Sequence, residues 1–281
     1  MVNKRIEGKI ALVTGAAAKR GMGRAIALKL AEEGADVVVL DKYAAPKSYW
    51  TGDEGWRGLD EVVEEIKALG RESLAVLADI SSEKDVEEAV DKALEKFGKI
   101  DILVHGAGIR GTVGVPVVDL KVDELYQIFN INTFGAFILS KFVARDMIRR
   151  NEGGKIVHIA SAAGKEGLSG SSAYAASKWA TLGLVKSLAL ELAPYKINVN
   201  AINPGFFSTN LRDIDALEGS KKAGVSMDEY KKKEHEMLIK MVPLGRMGRL
   251  EDITKLILFL VSSESDYMTG QDINITGGHH M

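Results

Sequence analysis

From Ile10 to the carboxyl end, runs of five to eight mostly apolar residues alternate with longer stretches of helical period, and that alternation leaves few folds open. The runs are 10–14, 36–41, 73–79, 100–106, 155–161, 196–203 and 271–276; amphipathic segments lie near 22–34, 58–70, 82–97, 122–150, 172–194 and 249–262. Strands that are apolar nearly throughout are buried on both faces, and strands separated by helices run parallel. The pattern predicts a doubly wound α/β fold: a parallel sheet of about seven strands with helices on both faces. One domain is expected over residues 1–281, since α/β sheets run to about 250 residues as a single unit. With 46% hydrophobic residues, the chain can fill such a core.

Charge and composition narrow the function. Lys and Arg number 37 against 39 Asp and Glu, a net charge of −2, which supplies no basic surplus for the phosphates of nucleic acid. The chain has no cysteine, which excludes disulfides, thiolate metal sites and a cysteine nucleophile, and no metal is expected. Four of the first nine residues are charged and only four apolar residues follow, too few for a signal peptide, and no apolar run approaches the roughly 20 residues of a membrane helix. A cytoplasmic protein is expected.

Two stretches break the rhythm. Residues 43–58, with Tyr49, Trp50 and Trp56, follow the second strand where a connection of about two to six residues would serve. Residues 210–241 follow the sixth strand and end in a Lys-rich helical piece. Connections at strand carboxyl ends lie over the ligand crevice of such sheets, so both are candidate lids. For the first, two readings stand: a cover for an adenine, or aromatic groups that pin a surface excursion to the body.

Chemistry enters at residues 12–27, LVTGAAAKRGMGRAIA. Gly15, Gly21 and Gly23 lie between a strand and a helix, where small residues let backbone N–H groups and the positive end of the helix approach a pyrophosphate. The spacing is not G-x-G-x-x-G, and a plain tight connection is the competing reading. Asp41 ends the second strand, 26 residues after Gly15, near where a carboxylate grips a ribose diol; a helix cap or a solvated turn is its alternative.

The second signal is YAASK, where Tyr174 and Lys178 share one face of a helix. A phenol of pKa about 10 works near neutral pH only if a cation stabilises its anion. Ser161 ends the fifth strand thirteen residues upstream, so its hydroxyl faces the same crevice, and Asn132 is a polar residue at the apolar start of a long helix.

In this order the motifs resemble the short-chain dehydrogenase/reductase family, in its single-domain form with a Rossmann fold, over almost the whole chain. The pieces are TGxxxGxG in TGAAAKRGMG, Asp79 after the third strand, a counterpart of NNAG, the N-x-x-G of Asn132, Ser161 with YxxxK, PGxxxT at 204–209, and the segment from 242 onward. The resemblance implies an oxidoreductase that moves a hydride between a nicotinamide and a secondary alcohol or ketone. It implies Tyr174 as acid–base, Ser161 as holder of the substrate oxygen, Lys178 as pKa-lowering cation and ribose ligand, and Asn132 as anchor of a proton-relaying water. It implies cofactor contacts from Gly15, Ala17, Lys19, Arg20, Gly21, Met22, Asp41, Asp79, Ile80, His105, Gly106, Ala107, Pro204, Gly205, Phe207 and Thr209. A homotetramer is the implied assembly, with a dimer as the symmetric fallback.

The sequence departs from the family pattern in three places. Two extra residues lie between Gly15 and Gly21, NNAG reads His105-Gly106-Ala107-Gly108, and the insert at 43–58 is foreign to most members. His105 is open to a structural or a cofactor-lining role. NAD is the expected cofactor, because Asp41 repels a 2′-phosphate, while Lys19, Arg20 and Lys42 leave NADP open. A 3-oxoacyl carrier-protein reductase using NADPH and a non-catalytic nucleotide sensor are the alternatives; the complete set Asn132, Ser161, Tyr174 and Lys178 argues against the sensor. Arg110, Ala163, Lys165, Glu166 and Phe206 are expected to border the substrate, and charges among them favour a polar, oxygen-rich one.

Overall fold

The computed structural model describes residues 4–47 and 52–281; Tyr49 and Trp50 lie outside the described residues. Seven strands form one sheet, β1 (Ile10–Thr14), β2 (Asp36–Asp41), β3 (Ser73–Leu77), β4 (Ile102–His105), β5 (Gly154–Ile159), β6 (Ile197–Pro204) and β7 (Asp272–Ile275). Their order is β3-β2-β1-β4-β5-β6-β7 and every pairing is parallel.

Alternate residues of each strand feed two cores. Leu12, Val38, Leu40, Leu103, Ile156 and Val199 pack against α3 (Glu83–Phe97), α5 (Gly135–Arg150) and α6 (Ser172–Leu192) through Val86, Val90, Leu139, Val143, Met147, Leu182 and Val185. Ala11, Val13, Val37, Val39, Val104 and Ile202 meet α1 (Met22–Glu32), α2 (Leu59–Ala68) and α9 (Leu250–Val261) through Ile26, Leu30, Val62, Ile66, Ile253 and Ile257. A strand buried on both faces has no solvent-facing side, which explains why the runs read as largely apolar rather than alternating. No helix among the described residues is long and apolar enough to cross a membrane.

The segment 122–150, expected as one helix, is divided into α4 (Val122–Phe129), a π-helical turn at Asn130–Phe134 and α5. The region 210–241 holds two helices, α7 (Asn210–Ala223) and α8 (Met227–Met241). β5 stops at Ile159, two residues before Ser161, which caps a short 3₁₀ turn at Ala162–Gly164 by accepting the Ala163 N–H. The chain leaves β1 toward β2 on one side while β4 lies on the other, so strand order reverses between β1 and β4 and a crevice opens at their carboxyl ends.

Candidate active site

The crevice floor is built by the turn after β1 and the turn after β4. Gly15 has φ +72°, and a Cβ there would stand 2.9 Å from the Ala107 nitrogen, so two backbone turns meet with no room for a side chain. Gly23 faces the Gly15 carbonyl in the same way, bringing α1 down onto the turn. Thr14 locks the pair: its Oγ1 accepts the N–H groups of Gly106 and Ala107, each at 3.1 Å, and lies 3.1 Å from His105 Nδ1. A hydroxyl with both lone pairs occupied must donate its own proton to Nδ1, which makes the His105 ring neutral with its proton on Nε2. His105 is 3% exposed and its side chain is packed inside the sheet; burial first, then the charges of His158 and Lys178, hold its pKa well below the usual value. The sequence reading did not single out Thr14, although the residue belongs to the TG pair of its own motif.

The amino end of α1 is open, since its cap is Gly21, which has no side chain to block it, and Met22 begins the helix. Asp41 lies at the edge of this opening, where its Oδ2 accepts the Ala17 N–H at 3.1 Å and its Oδ1 the Tyr43 N–H at 3.4 Å. Burial raises the Asp41 pKa against those bonds. Thr209 ends the loop Pro204–Thr209 and its hydroxyl does not cap α7, while Gly205 passes within close reach of Thr276, and Phe207 pairs in a parallel bridge with Gly248. The open helix end, the side-chain-free turn and the carboxylate at its rim fit a dinucleotide.

The basic residues of the turn have protein partners. Lys19 donates to the Gly52 carbonyl at 2.8 Å, Arg20 pairs with Asp53 at 3.1 Å and with Asp213 of α7, and the Arg20 N–H donates to Asn210 Oδ1 at 2.8 Å. Trp56 donates its Nε1–H to the Ala17 carbonyl at 2.7 Å, with Arg24 5.2 Å from its ring. Lys42 pairs with Asp79 at 2.8 Å; burial works against the Asp79 carboxylate, but Lys42 and Ser81 hold its pKa below the usual value. Ile80 is buried, with its side chain against Gly135 at the start of α5. Asp53, Asn210 and Asp213 were not visible as site residues in sequence, where acidic groups near loops and on helices read as solvated.

Tyr174 sits in the first turn of α6, 8% exposed, with the Ser161 hydroxyl beside its phenol. The Lys178 ammonium lies one turn on, 5.7 Å from the ring centre, and the Arg110 guanidinium approaches to 5.6 Å. Burial raises the Tyr174 pKa, the Ser161 hydroxyl and the Arg110 charge oppose the rise, and Asp215 adds to it. Lys178 donates to the Ile159 carbonyl at 3.1 Å, and burial lowers its pKa to about 8. Asn132 lies in the π turn, 1% exposed; its Oδ1 accepts the Ile109 N–H at 2.9 Å and its Nδ2 donates to the Ile109 carbonyl and to Ser177 Oγ. The extra residue of a π turn re-aims one side chain, and here it ties the β4 loop to α6. The space left by the missing side chain of Gly108 is 3.0 Å from Asn132 Oδ1 and 3.6 Å from Lys178 Nζ. All four residues named as catalytic from sequence are thus brought to one end of the sheet.

Comparison with known proteins agrees with this geometry. A family model described as enoyl-(acyl carrier protein) reductase matches residues 15–280. The chain is 35% identical over 274 residues to a 3-oxoacyl-(acyl-carrier-protein) reductase of Thermotoga maritima, covering 98% of each. It is 36% identical to a short-chain dehydrogenase/reductase of Armillaria gallica, covering 97% of this chain and 96% of the relative. Among solved structures it resembles an NAD⁺-bound xylitol dehydrogenase with a TM-score of 0.85 and 35% identity, over 98% of this chain and all of the other. The chain belongs to the short-chain dehydrogenase/reductase family and is an NAD(P)-dependent oxidoreductase of alcohols and ketones.

Proposed function

We propose that this single-domain enzyme interconverts a secondary alcohol and a ketone with NAD, with Tyr174 as its acid–base. The observation that carries the reading is the grouping of Tyr174, Ser161, Lys178 and Asn132 at the strand ends beside a turn shaped for a dinucleotide. The nicotinamide supplies the hydride acceptor when bound. Ser161 holds the substrate oxygen against the phenol, and the Tyr174 phenolate takes the hydroxyl proton as the alcohol carbon is oxidised. Lys178 favours the phenolate and would hold the nicotinamide ribose, and Asn132 with Lys178 would line the path by which the proton leaves. Asp79 would meet the adenine, and the loop 204–209 would hold the nicotinamide amide through the Phe207 backbone and the Thr209 hydroxyl.

NAD is preferred over NADP because Asp41 stands where a 2′-phosphate would need a cation, while Lys42 and Arg20 are already engaged by Asp79, Asp53 and Asp213. The same engagement argues against the NADPH-dependent 3-oxoacyl carrier-protein reductase that one relative's name suggests. We further propose four copies per assembly and the cytoplasm, where the nicotinamide pool is available, as the place of work. The test is the appearance of NADH absorbance on a panel of secondary alcohols, with NAD and NADP compared at saturating substrate. A higher kcat/KM with NADP would overturn the cofactor choice.

A further inference from the structure

Two polar groups beside Tyr174 are built at a cost that the reaction chemistry alone does not explain. Ser171 precedes α6 at its cap position, where a serine ordinarily accepts an N–H of the first turn, yet its hydroxyl makes no such bond. The residue is 7% exposed and its Oγ has no hydrogen-bond partner among the described residues. Arg110, from the loop after β4, buries its Nε with no partner among the described residues. Its Nη1 meets Asp215 of α7, in an ion pair whose side chains are only 19% and 12% exposed. Arg110, Ser171, Thr112 and Tyr174 line one small cavity. A native structure rarely leaves buried donors unpaired, and those it does leave point to an absent partner.

We propose that Arg110 and Ser171 form a carboxylate subsite beside Tyr174, so that the alcohols this enzyme prefers are hydroxy acids and the ketones are oxo acids. This rests on the oxidoreductase reading of the same site. A carboxylate accepts from both a guanidinium N–H and a hydroxyl, and charge-assisted bonds of that kind are the strong ones. The first turn of α6 holds no acidic residue, so the positive end of the helix adds to the attraction. Asp215 occupies the guanidinium when the substrate is away, which spares an unpaired buried cation and holds α7 against the crevice. A hydrocarbon substrate would leave Arg110 Nε and Ser171 Oγ without a partner and is disfavoured.

The experiment titrates the protein–NADH complex with butyrate and with its neutral counterpart butyramide by calorimetry. Butyrate should bind at least tenfold more tightly. Arg110→Gln should bring the two within about threefold, Arg110→Lys should retain part of the preference, and Asp215→Asn should tighten butyrate alone. Equal binding of the two probes, no binding of either, or a tenfold preference surviving in Arg110→Gln overturns the subsite. Turnover of neutral secondary alcohols without a carboxylate preference would sink the subsite and spare the oxidoreductase reading. Arg110-dependent butyrate binding with no alcohol turned over would do the reverse.

Discussion

At Tyr174 burial and neighbours pull the phenol in opposite directions, and both pulls can be read in kinetics. Replacing Tyr174 by Phe removes the proton acceptor and leaves the dinucleotide contacts in place. The kcat should fall by about two decades or more, the usual worth of a general acid–base, while NADH affinity by fluorescence stays within about twofold. A variant keeping more than about a tenth of kcat would take the role from Tyr174. Alcohol oxidation needs the phenolate, so kcat/KM rises with pH through the Tyr174 pKa. Arg110 favours the anion and Asp215 opposes it, so Arg110→Gln should move the rising limb to higher pH and Asp215→Asn to lower pH. Profiles shifted the other way would show that neither charge acts on the phenol.

Among the elements, the central strands carry a pH sensitivity of their own. His105 and His158 lie on neighbouring strands β4 and β5 with ring centres 5.4 Å apart, and His158 is fully buried with Nε2 3.1 Å from Ser140 Oγ. Burial, with a smaller push from Lys178, lowers the His158 pKa to about 4. Between pH 6.5 and about 4 the unfolded chain binds a proton there and the folded chain does not, so stability falls as pH drops through that window. The loss from this one group is on the order of 3 kcal/mol and levels off below pH 4; His105 acts in the same direction. Melting temperatures at pH 7 and pH 5 should differ less for His158→Gln than for the wild type, and an undiminished difference would place the sensitivity elsewhere. The strands, most helix boundaries and the four side chains proposed as catalytic are legible in sequence because each depends on a short window: a continuous apolar run, a 3.6 period, a glycine turn, a Tyr-Lys pair one turn apart. The π turn in 122–150 is not legible, because it exists to carry Asn132 to Ile109 and Ser177, contacts set by tertiary packing. Asp53, Asp213 and Asp215 escape for the same reason, since their basic partners are far away in sequence. The insert shows both sides: Asp41 before it is legible, whereas the hold of Trp56 on the Ala17 carbonyl and of Asp53 on Arg20 is not. Those bonds fasten the insert to the turn after β1. Cutting 43–58 to a four-residue turn should therefore speed NADH release in stopped flow, and a lowered melting temperature with unchanged release would reduce the insert to a pin.

In the whole molecule the outer faces of α4, α5 and α6 carry large apolar side chains among their charged ones. Tyr126, Phe134 and Phe137 follow one another at helical spacing through α4, the π turn and α5, and Trp179 and Leu190 stand three turns apart on α6, each at least half exposed. Exposed apolar area costs roughly 25 cal/mol per Å², and a contiguous patch of large side chains is what a self-complementary interface removes from water. Symmetric closure through these helices gives a dimer, and a second two-fold gives the tetramer proposed above. Light scattering at micromolar concentration should report about four times the 30.4 kDa of one chain. A particle of 30.4 kDa would end the proposal, and one of twice that mass would leave a single two-fold. Phe137→Asp with Trp179→Glu should reduce the mass without unfolding the chain, because both side chains are about half exposed and contribute little to the cores. The proposed interface would also border the site: Trp179 follows Lys178 directly, and Phe134 shares the π turn with Asn132. The dissociated variant should therefore lose kcat as well as mass, with its melting temperature becoming independent of protein concentration; full kcat in a monomer would separate assembly from catalysis.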